Sequence, residues 1–134
     1  MTSSLSSTVL TIQNLSVSFT TEDGTVNAVR HVNCSVERGQ CLGIVGESGS
    51  GKSQTFLAAM GLLSRNGHTQ GTIFYGNQSL LDLKPAALNN IRGNRIAMIF
   101  QDPLTSLTPH MQIGDQMREV LRTHLAITLS LIHI

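Results

Sequence analysis

The sequence predicts an α/β fold in which a glycine-rich loop joins a buried strand to an amphipathic helix, after an antiparallel pair of strands. Residues 9–36 alternate between apolar and polar side chains in two runs separated by a turn, as strands with one face in water do. The run 41–45 is apolar on both faces, which favours a central strand of a parallel sheet. The glycine-rich loop 46–53 then leads into a helical pattern that ends near residue 64.

The strand pair is expected to contain one irregularity. The first strand, residues 9–19, has apolar side chains in two opposite phases: Leu10 and Ile12, then Leu15, Val17 and Phe19. Since side chains alternate strictly along a regular strand, this change of phase predicts a bulge near Gln13-Asn14. A turn is expected at Glu22-Asp23-Gly24. The second strand should carry one apolar face: Val26, Ala28, Val32, Cys34 and Val36.

The remaining elements follow from periodicity and from turn residues. The helix after the loop should bury one face made of Phe56, Ala59, Met60 and Leu63. A strand is expected at 71–75, a short helix between Pro85 and Gly93, and another strand at 95–100 that ends at Asp102-Pro103. A final amphipathic helix is indicated by Ile113, Met117, Val120 and Leu121.

The composition is that of a folded globular chain. Of 134 residues, 40% are hydrophobic and 13% are charged, which fits one domain with one core. The net charge of +1 provides no basic field, so a nucleic-acid partner is excluded. No secretory signal is expected, and no uncharged apolar run approaches the ~20 residues of a membrane helix. Cys34 and Cys41 fit no metal motif and are expected to be buried free thiols in a reducing compartment, with a local disulfide as the alternative.

The glycine-rich loop satisfies the phosphate-binding pattern G-x-x-x-x-G-K-[ST] with Gly46, Glu47, Ser48, Gly49, Ser50, Gly51, Lys52 and Ser53. Its glycines let the backbone approach phosphate oxygens, and its N–H groups, with the start of the next helix, form an anion nest. Lys52 is expected to hold the β- and γ-phosphates, and Ser53 to ligate Mg²⁺. The alternative is an ordinary Gly/Ser turn, which the strand before the loop and the helix after it disfavour.

Further segments fit one known pattern when they are taken with the loop: Ser16-Val-Ser-Phe19, Ala28-Val29, Gly43-Ile-Val45, Ile91-Arg92-Gly93, Ile96-Ala-Met-Ile-Phe-Gln-Asp-Pro103, Thr105-Ser106-Leu107 and Ile113-Gly114-Asp115-Gln116. With these segments the chain resembles the ATP-binding subunit of an ABC transporter, and most closely that of dipeptide and oligopeptide importers. The resemblance covers roughly residues 9–124. It implies an α/β P-loop NTPase (ABC ATPase) core with an N-terminal antiparallel β subdomain.

The resemblance implies ATP and Mg²⁺ as ligands, bound by the loop and by Gln54, with Phe19 stacking on adenine. Phe19 could otherwise be a core residue. Gln101 matches the glutamine that reaches Mg²⁺ and the attacking water, so Gln101 and Lys52 are the catalytic candidates, and Ser53 and Gln101 the metal ligands. The implied partners are a second, homologous or identical ATP-binding subunit, transmembrane permease subunits and, indirectly, an extracytoplasmic solute-binding protein. The implied location is the cytoplasmic face of the bacterial inner membrane.

Several features depart from that family. Thr108 stands where asparagine is common before Pro109, and Gln54 replaces a small hydroxyl residue that contacts the α-phosphate, although its amide can still donate. No Leu-Ser-Gly-Gly-Gln signature, catalytic carboxylate or switch histidine can be assigned, so the domain is expected to be truncated before the signature. Residues 1–8 should be loose. Residues 125–134 resemble non-native sequence, with a genuine hydrophobic terminus as the alternative.

The leading hypothesis is therefore ATP binding, with hydrolysis in the complete protein, that energises import of a peptide-type solute. Asp102 could instead be the Mg²⁺-side aspartate of a soluble P-loop kinase or a non-transport ATPase. A non-functional fragment is the third reading. The sequence does not distinguish dipeptides, oligopeptides and nickel as the solute.

Overall fold

The structure, a computed structural model, describes residues 7–102 and 107–125. The chain divides between Leu88 and Asn89 into two compact units. Most of the expected loose N-terminus, residues 103–106 of the family-like segments and residues 126–134 of the expected non-native tail lie outside the described residues.

The first unit is built on a four-stranded sheet with one helix beside it. The strands and the helix are β1 (Thr8–Thr21), β2 (Gly24–Glu37), α1 (Lys52–Ala59), β3 (Gly67–Tyr75) and β4 (Gln78–Ser79). The sheet order is β2-β1-β3-β4, and every neighbouring pair is antiparallel. The predicted strand pair is therefore confirmed, and β3 joins the other edge of β1. The short strand β4 was not predicted.

The core of this unit lies where the sheet meets α1. Four side chains are buried almost completely: Ile12, Leu15, Val17 and Ile73. Helix α1 contributes Thr55, Ala58 and Ala59, and Met60 follows them. The predicted face is therefore partly right, since Ala59 and Met60 are buried whereas Phe56 and Leu63 are only half-buried. The helix also ends earlier than predicted, because Gly61 at φ 60° turns the chain after Met60.

The bulge in β1 is confirmed at Asn14. This residue has φ 51°, in the left-handed region that asparagine tolerates. The register of β1 shifts there against both β2 and β3. The apolar face predicted for β2 is only partly right, since Val29 is its buried residue and Val26 is exposed.

The predicted parallel strand at 41–45 and the predicted strand at 95–100 are wrong for the described residues. The run 41–45 forms no ladder, and Val45 is 95% exposed. In the second unit, residues 95–100 form only an isolated parallel bridge between Arg92 and Ile96, and Ile99 is 92% exposed. An extended segment becomes a strand only when another segment satisfies its N–H and C=O groups, and the described residues provide no such neighbour for these runs.

The helices near the junction and in the second unit are α2 (Pro85–Asn89) and α3 (Ile113–Leu125). Helix α2 starts at Pro85 as predicted but ends four residues before Gly93. Helix α3 is confirmed, but its apolar positions Ile113, Met117 and Val120 are exposed. No described helix is both long and apolar enough to cross a membrane.

The two cysteines are free, as expected, but neither of them is fully buried. Cys41 is exposed and Cys34 is half-buried. Partial burial raises the pKa of the Cys34 thiol, because desolvation disfavours the thiolate. The thiols differ because Cys34 lies within β2, whereas Cys41 lies in the run that does not form a strand.

Candidate nucleotide-binding site

Lys52, near the C-terminal end of the phosphate-binding loop, forms hydrogen bonds with earlier residues of the loop. Its ammonium donates to the carbonyl oxygens of Gly46 and Glu47, both at 2.6 Å, and to Ser50 Oγ at 3.2 Å. All three N–H donors of the ammonium are thus directed at the loop itself. The loop is closed around its lysine, and a bound anion would have to compete with these oxygens.

Gly51 joins the loop to α1 under a tight steric constraint. It has φ 89°, and a Cβ at this position would lie 2.3 Å from the carbonyl oxygen of Ala28 in β2. Only glycine fits this close approach and this backbone angle. Gly51 is also the N-cap of α1 and receives no side-chain cap, so the first N–H groups of the helix are available to an anion.

A cavity of about 340 Å³ brings together Phe19, Ala28 and the second half of the loop. The residues of the loop and of the start of α1 that line this cavity are Gly49, Ser50, Gly51, Lys52, Ser53 and Gln54. An aromatic ring, the start of a helix, an ammonium, a hydroxyl and an amide therefore share one enclosure within the first unit. This is the donor set that an aromatic base joined to a polyphosphate requires.

Phe19 is held in this cavity by the turn that follows α1. The N–H of Thr20 donates to the carbonyl of Asn66 at 3.0 Å, and Asn66 Nδ2 donates back to the carbonyl of Thr20 at 2.8 Å. A Cβ on Gly67 would lie 3.0 Å from the Phe19 ring, so this glycine packs closely against it. Phe19 is half-buried rather than a fully buried core residue.

A second cavity, of about 400 Å³, is lined in part by the same loop residues. It shares Ala28, Ser50, Gly51 and Lys52 with the first cavity. Its other walls include Arg30 and Gly46 but are largely apolar, with Val29, Val32 and Ile44 among them. It contains neither Ser53 nor Gln54. It is therefore less suited than the Phe19 cavity to a polyphosphate with its metal ion.

The other predicted site residues differ in their burial and in whether they line the Phe19 cavity. Gly46 packs against Ser50, since a Cβ there would lie 2.8 Å from Ser50 Oγ. Glu47, Ser48 and Ser53 are exposed, and Glu47 contributes its carbonyl oxygen to Lys52. Gln101 is exposed and belongs to the second unit, so the Phe19 cavity is built without it.

Of the three further residues that shape the cavity, Ala28 belongs to a segment that carries the family resemblance, whereas Asn66 and Gly67 carry no functional signal in the sequence. Ala28 fixes Gly51 through its carbonyl, and Asn66 and Gly67 frame Phe19. The dipeptide Asn66-Gly67 is typical of a tight turn, which is the one pattern that could have drawn attention to this segment. No sequence pattern indicated that this turn would meet the end of β1.

Comparison with protein families shows to which family the chain belongs. The model of the family described as ABC transporter matches residues 29–133. The chain belongs to the ABC transporter family. This membership confirms the α/β ABC ATPase class with an antiparallel N-terminal subdomain, in a family of transport-coupled ATPases.

Among curated members of the ABC transporter family, the chain is similar to proteins named for peptide transport. It is 53% identical over 116 residues to the oligopeptide transport ATP-binding protein OppD of Haemophilus influenzae, covering 87% of this chain and 36% of that protein. It is 50% identical over 116 residues to OppD of Escherichia coli, covering 87% of this chain and 34% of that protein. It is 48% identical over 118 residues to the dipeptide transport ATP-binding protein DppD of Bacillus subtilis, covering 87% of this chain and 35% of that protein. The chain thus spans about a third of the length of these relatives.

Proposed function

We propose that this chain binds ATP in the Phe19 cavity and serves as the nucleotide-binding part of the energy-coupling ATPase of a peptide-type importer. The observation that carries the proposal is the single cavity shared by the Phe19 ring and loop residues 49–54. Adenine would stack on Phe19, and the polyphosphate would extend towards the loop. Residues 9–124 are the part of the chain to which we assign this role.

Electrostatics support the phosphate end of the site. The uncapped N–H groups at the start of α1 and the ammonium of Lys52 are positive groups that face the same enclosure. On binding, Lys52 would exchange the carbonyl oxygens of Gly46 and Glu47 for β- and γ-phosphate oxygens. Gln54 is half-buried in the cavity wall, and its amide would donate near the α-phosphate.

The described donors also fit Mg²⁺. Ser53 is exposed and offers a hydroxyl in the wall of the Phe19 cavity. Gln101 is the second proposed ligand on its sequence pattern alone. Both are the hard oxygen ligands that Mg²⁺ takes alongside phosphate oxygens and water. Bound Mg-ATP would supply a phosphoanhydride whose charge the metal neutralises, while Gln101 would orient the attacking water. No general base can be assigned in this chain, so we expect it to bind nucleotide without appreciable turnover.

The relatives support the transport part of the proposal. Those described above are named as ATP-binding proteins of oligopeptide or dipeptide transport. We therefore propose a peptide as the solute, and as partners a second ATP-binding subunit, membrane permease subunits and, indirectly, a solute-binding protein. The proposed location is the cytoplasmic face of the inner membrane. Membership of the ABC transporter family disfavours the kinase hypothesis built on Asp102.

Lys52→Ala tests the site directly. Removal of the ammonium should weaken Mg-ATP binding at least about tenfold, because a charge-assisted contact to phosphate is lost. Isothermal titration of the 134-residue chain measures the affinity. Lys84→Ala is the matched control, since Lys84 is the other lysine of the chain and is exposed outside the cavity. Equal affinities of the wild-type chain and Lys52→Ala would contradict the proposal, and steady phosphate release by the wild-type chain would contradict binding without turnover.

A further inference from the structure

At Asn14, strand β1 contains one residue more than the opposing stretch of either neighbouring strand. Against β2, Gln13 and Asn14 lie between the pairs Ile12–Cys34 and Leu15–Val32, where β2 has only Asn33. Against β3, Asn14 and Leu15 oppose the single residue Gly71. Asn14 is common to both shifts and has φ 51°, so it is the inserted residue.

Strand β2 carries a second irregularity directly beside the first. Between the pairs Leu15–Val32 and Val17–Val29, Ser16 faces both Arg30 and His31, and His31 has φ 49°. These are the only two described non-glycine residues with positive φ, and they contact each other, with His31 Nδ1 2.8 Å from Asn14 Oδ1. The two bulges therefore form one structure across the strand pair.

Side-chain hydrogen bonds hold this paired bulge. The N–H of Asn14 donates to Asn33 Oδ1 at 2.8 Å, and Asn33 Nδ2 donates to the carbonyl of His31 at 2.9 Å. The N–H of His31 donates to Ser16 Oγ at 3.0 Å. Backbone groups that the bulge removes from the ladder thus find side-chain partners, which stabilises the irregular geometry.

The paired bulge determines which residues of β1 after Asn14 face the interior. Because side chains alternate, Ile12 and Phe19, seven positions apart, would lie on opposite faces of a regular strand. The inserted residue reverses the alternation, so Ile12, Leu15 and Val17 are all buried and Phe19 enters the cavity. Gly71 permits this, since a Cβ there would lie 2.5 Å from the carbonyl oxygen of Asn14.

We propose that Asn14, His31 and Asn33 are positioning residues for recognition of the aromatic base, acting through Phe19. The proposal rests on the ATP site proposed above and extends it to residues outside the cavity. They set the phase of β1 that turns the Phe19 ring towards the loop, and they contribute nothing to the phosphate end. Weakening the paired bulge should therefore reduce the affinity for a ligand that has a base and spare the affinity for one that has only phosphates.

Asn33→Ala tests this with two ligands, Mg-ATP and inorganic tripolyphosphate with Mg²⁺. It removes two hydrogen bonds of the bulge from an exposed position. Titration of the whole chain should show about a fivefold or greater loss of ATP affinity with unchanged tripolyphosphate affinity, since base stacking on an aromatic side chain provides the difference between the ligands. Asn27→Ala is the matched control, because Asn27 is an exposed asparagine of β2 without a side-chain bond in the bulge. The control should leave both affinities at the wild-type value.

A second pair of variants addresses the backbone. Asn14→Val places a β-branched residue at positive φ and should lower the ratio of ATP to tripolyphosphate affinity, whereas Asn14→Gly tolerates that angle and should lower it less. If Asn14→Val does not fold, the ratio of ATP to tripolyphosphate affinity in Asn33→Ala tests the positioning role by itself. An unchanged ratio in Asn33→Ala overturns the positioning role. A wild-type chain that binds neither ligand, or binds both equally, would instead overturn the proposed ATP site and the positioning role with it.

Discussion

At the residue scale, Lys52 already bonds to the loop whose phosphate ligand we propose it to hold. Its ammonium already has three oxygen acceptors within the loop. In the proposed site, phosphate would replace these contacts, so the net gain would be smaller than the strength of a lysine–phosphate contact alone suggests.

The two cysteines provide a prediction at the residue scale. Cys41 is exposed, whereas Cys34 is half-buried with a raised thiol pKa. Since the thiolate is the reactive form, iodoacetamide at pH 8 should alkylate Cys41 several-fold faster than Cys34. The raised pKa also means that folding favours the neutral Cys34 thiol, so this contribution to stability is present below the unfolded pKa and declines as the pH rises through alkaline values.

Mass spectrometry of timed alkylation measures both rates in one sample. Cys34→Ser and Cys41→Ser each leave one thiol and assign the two phases. In urea the two rates should converge, because burial no longer distinguishes the thiols. Equal rates in the native chain would contradict the difference in exposure.

At the scale of elements, the irregularity of β1 sets the geometry of the whole sheet. Gly71→Ala would place a Cβ 2.5 Å from the carbonyl oxygen of Asn14 at φ 102°. We expect it to lower the free energy of unfolding by about 3 kcal/mol, because steric overlap with the backbone adds to the strain of the angle. The midpoint of urea unfolding measures the change.

Gly76→Ala is the control for that change. Gly76 also has positive φ, 56°, but a Cβ there meets nothing within 4 Å. It should therefore lose only about 1 kcal/mol, from the backbone angle alone. A loss for Gly71→Ala no larger than that for Gly76→Ala would show that the close approach of β3 to the bulge is not a constraint.

At the scale of the whole molecule, apolar side chains outside the sheet remain in contact with solvent. In the first unit these include Leu42, Ile44 and Val45, and in the second unit Ile99 and Phe100. Extended apolar segments without strand partners favour association between chains. We predict that the chain self-associates at micromolar concentration.

Light scattering and size-exclusion chromatography measure this association. Val45→Lys and Ile99→Lys should each reduce it, since a charge replaces an almost fully exposed apolar side chain. Val26→Lys is the control, because Val26 is an exposed valine of β2 outside both runs. A wild-type chain that is monomeric over this range would contradict the prediction.

The sequence by itself determined the features that depend on neighbouring residues. The alternation of apolar side chains predicted β1, β2 and the bulge at Asn14, because a change of phase has no other simple cause in a strand. The glycine and lysine spacing predicted the loop, and the helix that starts at Lys52 followed from it. The loop is a candidate for phosphate binding on its residue pattern alone, and Phe19 becomes a candidate for base stacking through the family resemblance.

Only the tertiary structure decided what those segments meet. It brought Phe19 and residues 49–54 into one cavity and placed Ala28, Asn66 and Gly67 around them, which depends on packing between distant parts of the chain. It also left 41–45 and 95–100 without ladders, although their apolar content favours strands. The physical reason is the same in both cases. A strand or a cavity wall is completed by groups distant in sequence, and local residue patterns do not specify which distant groups those are.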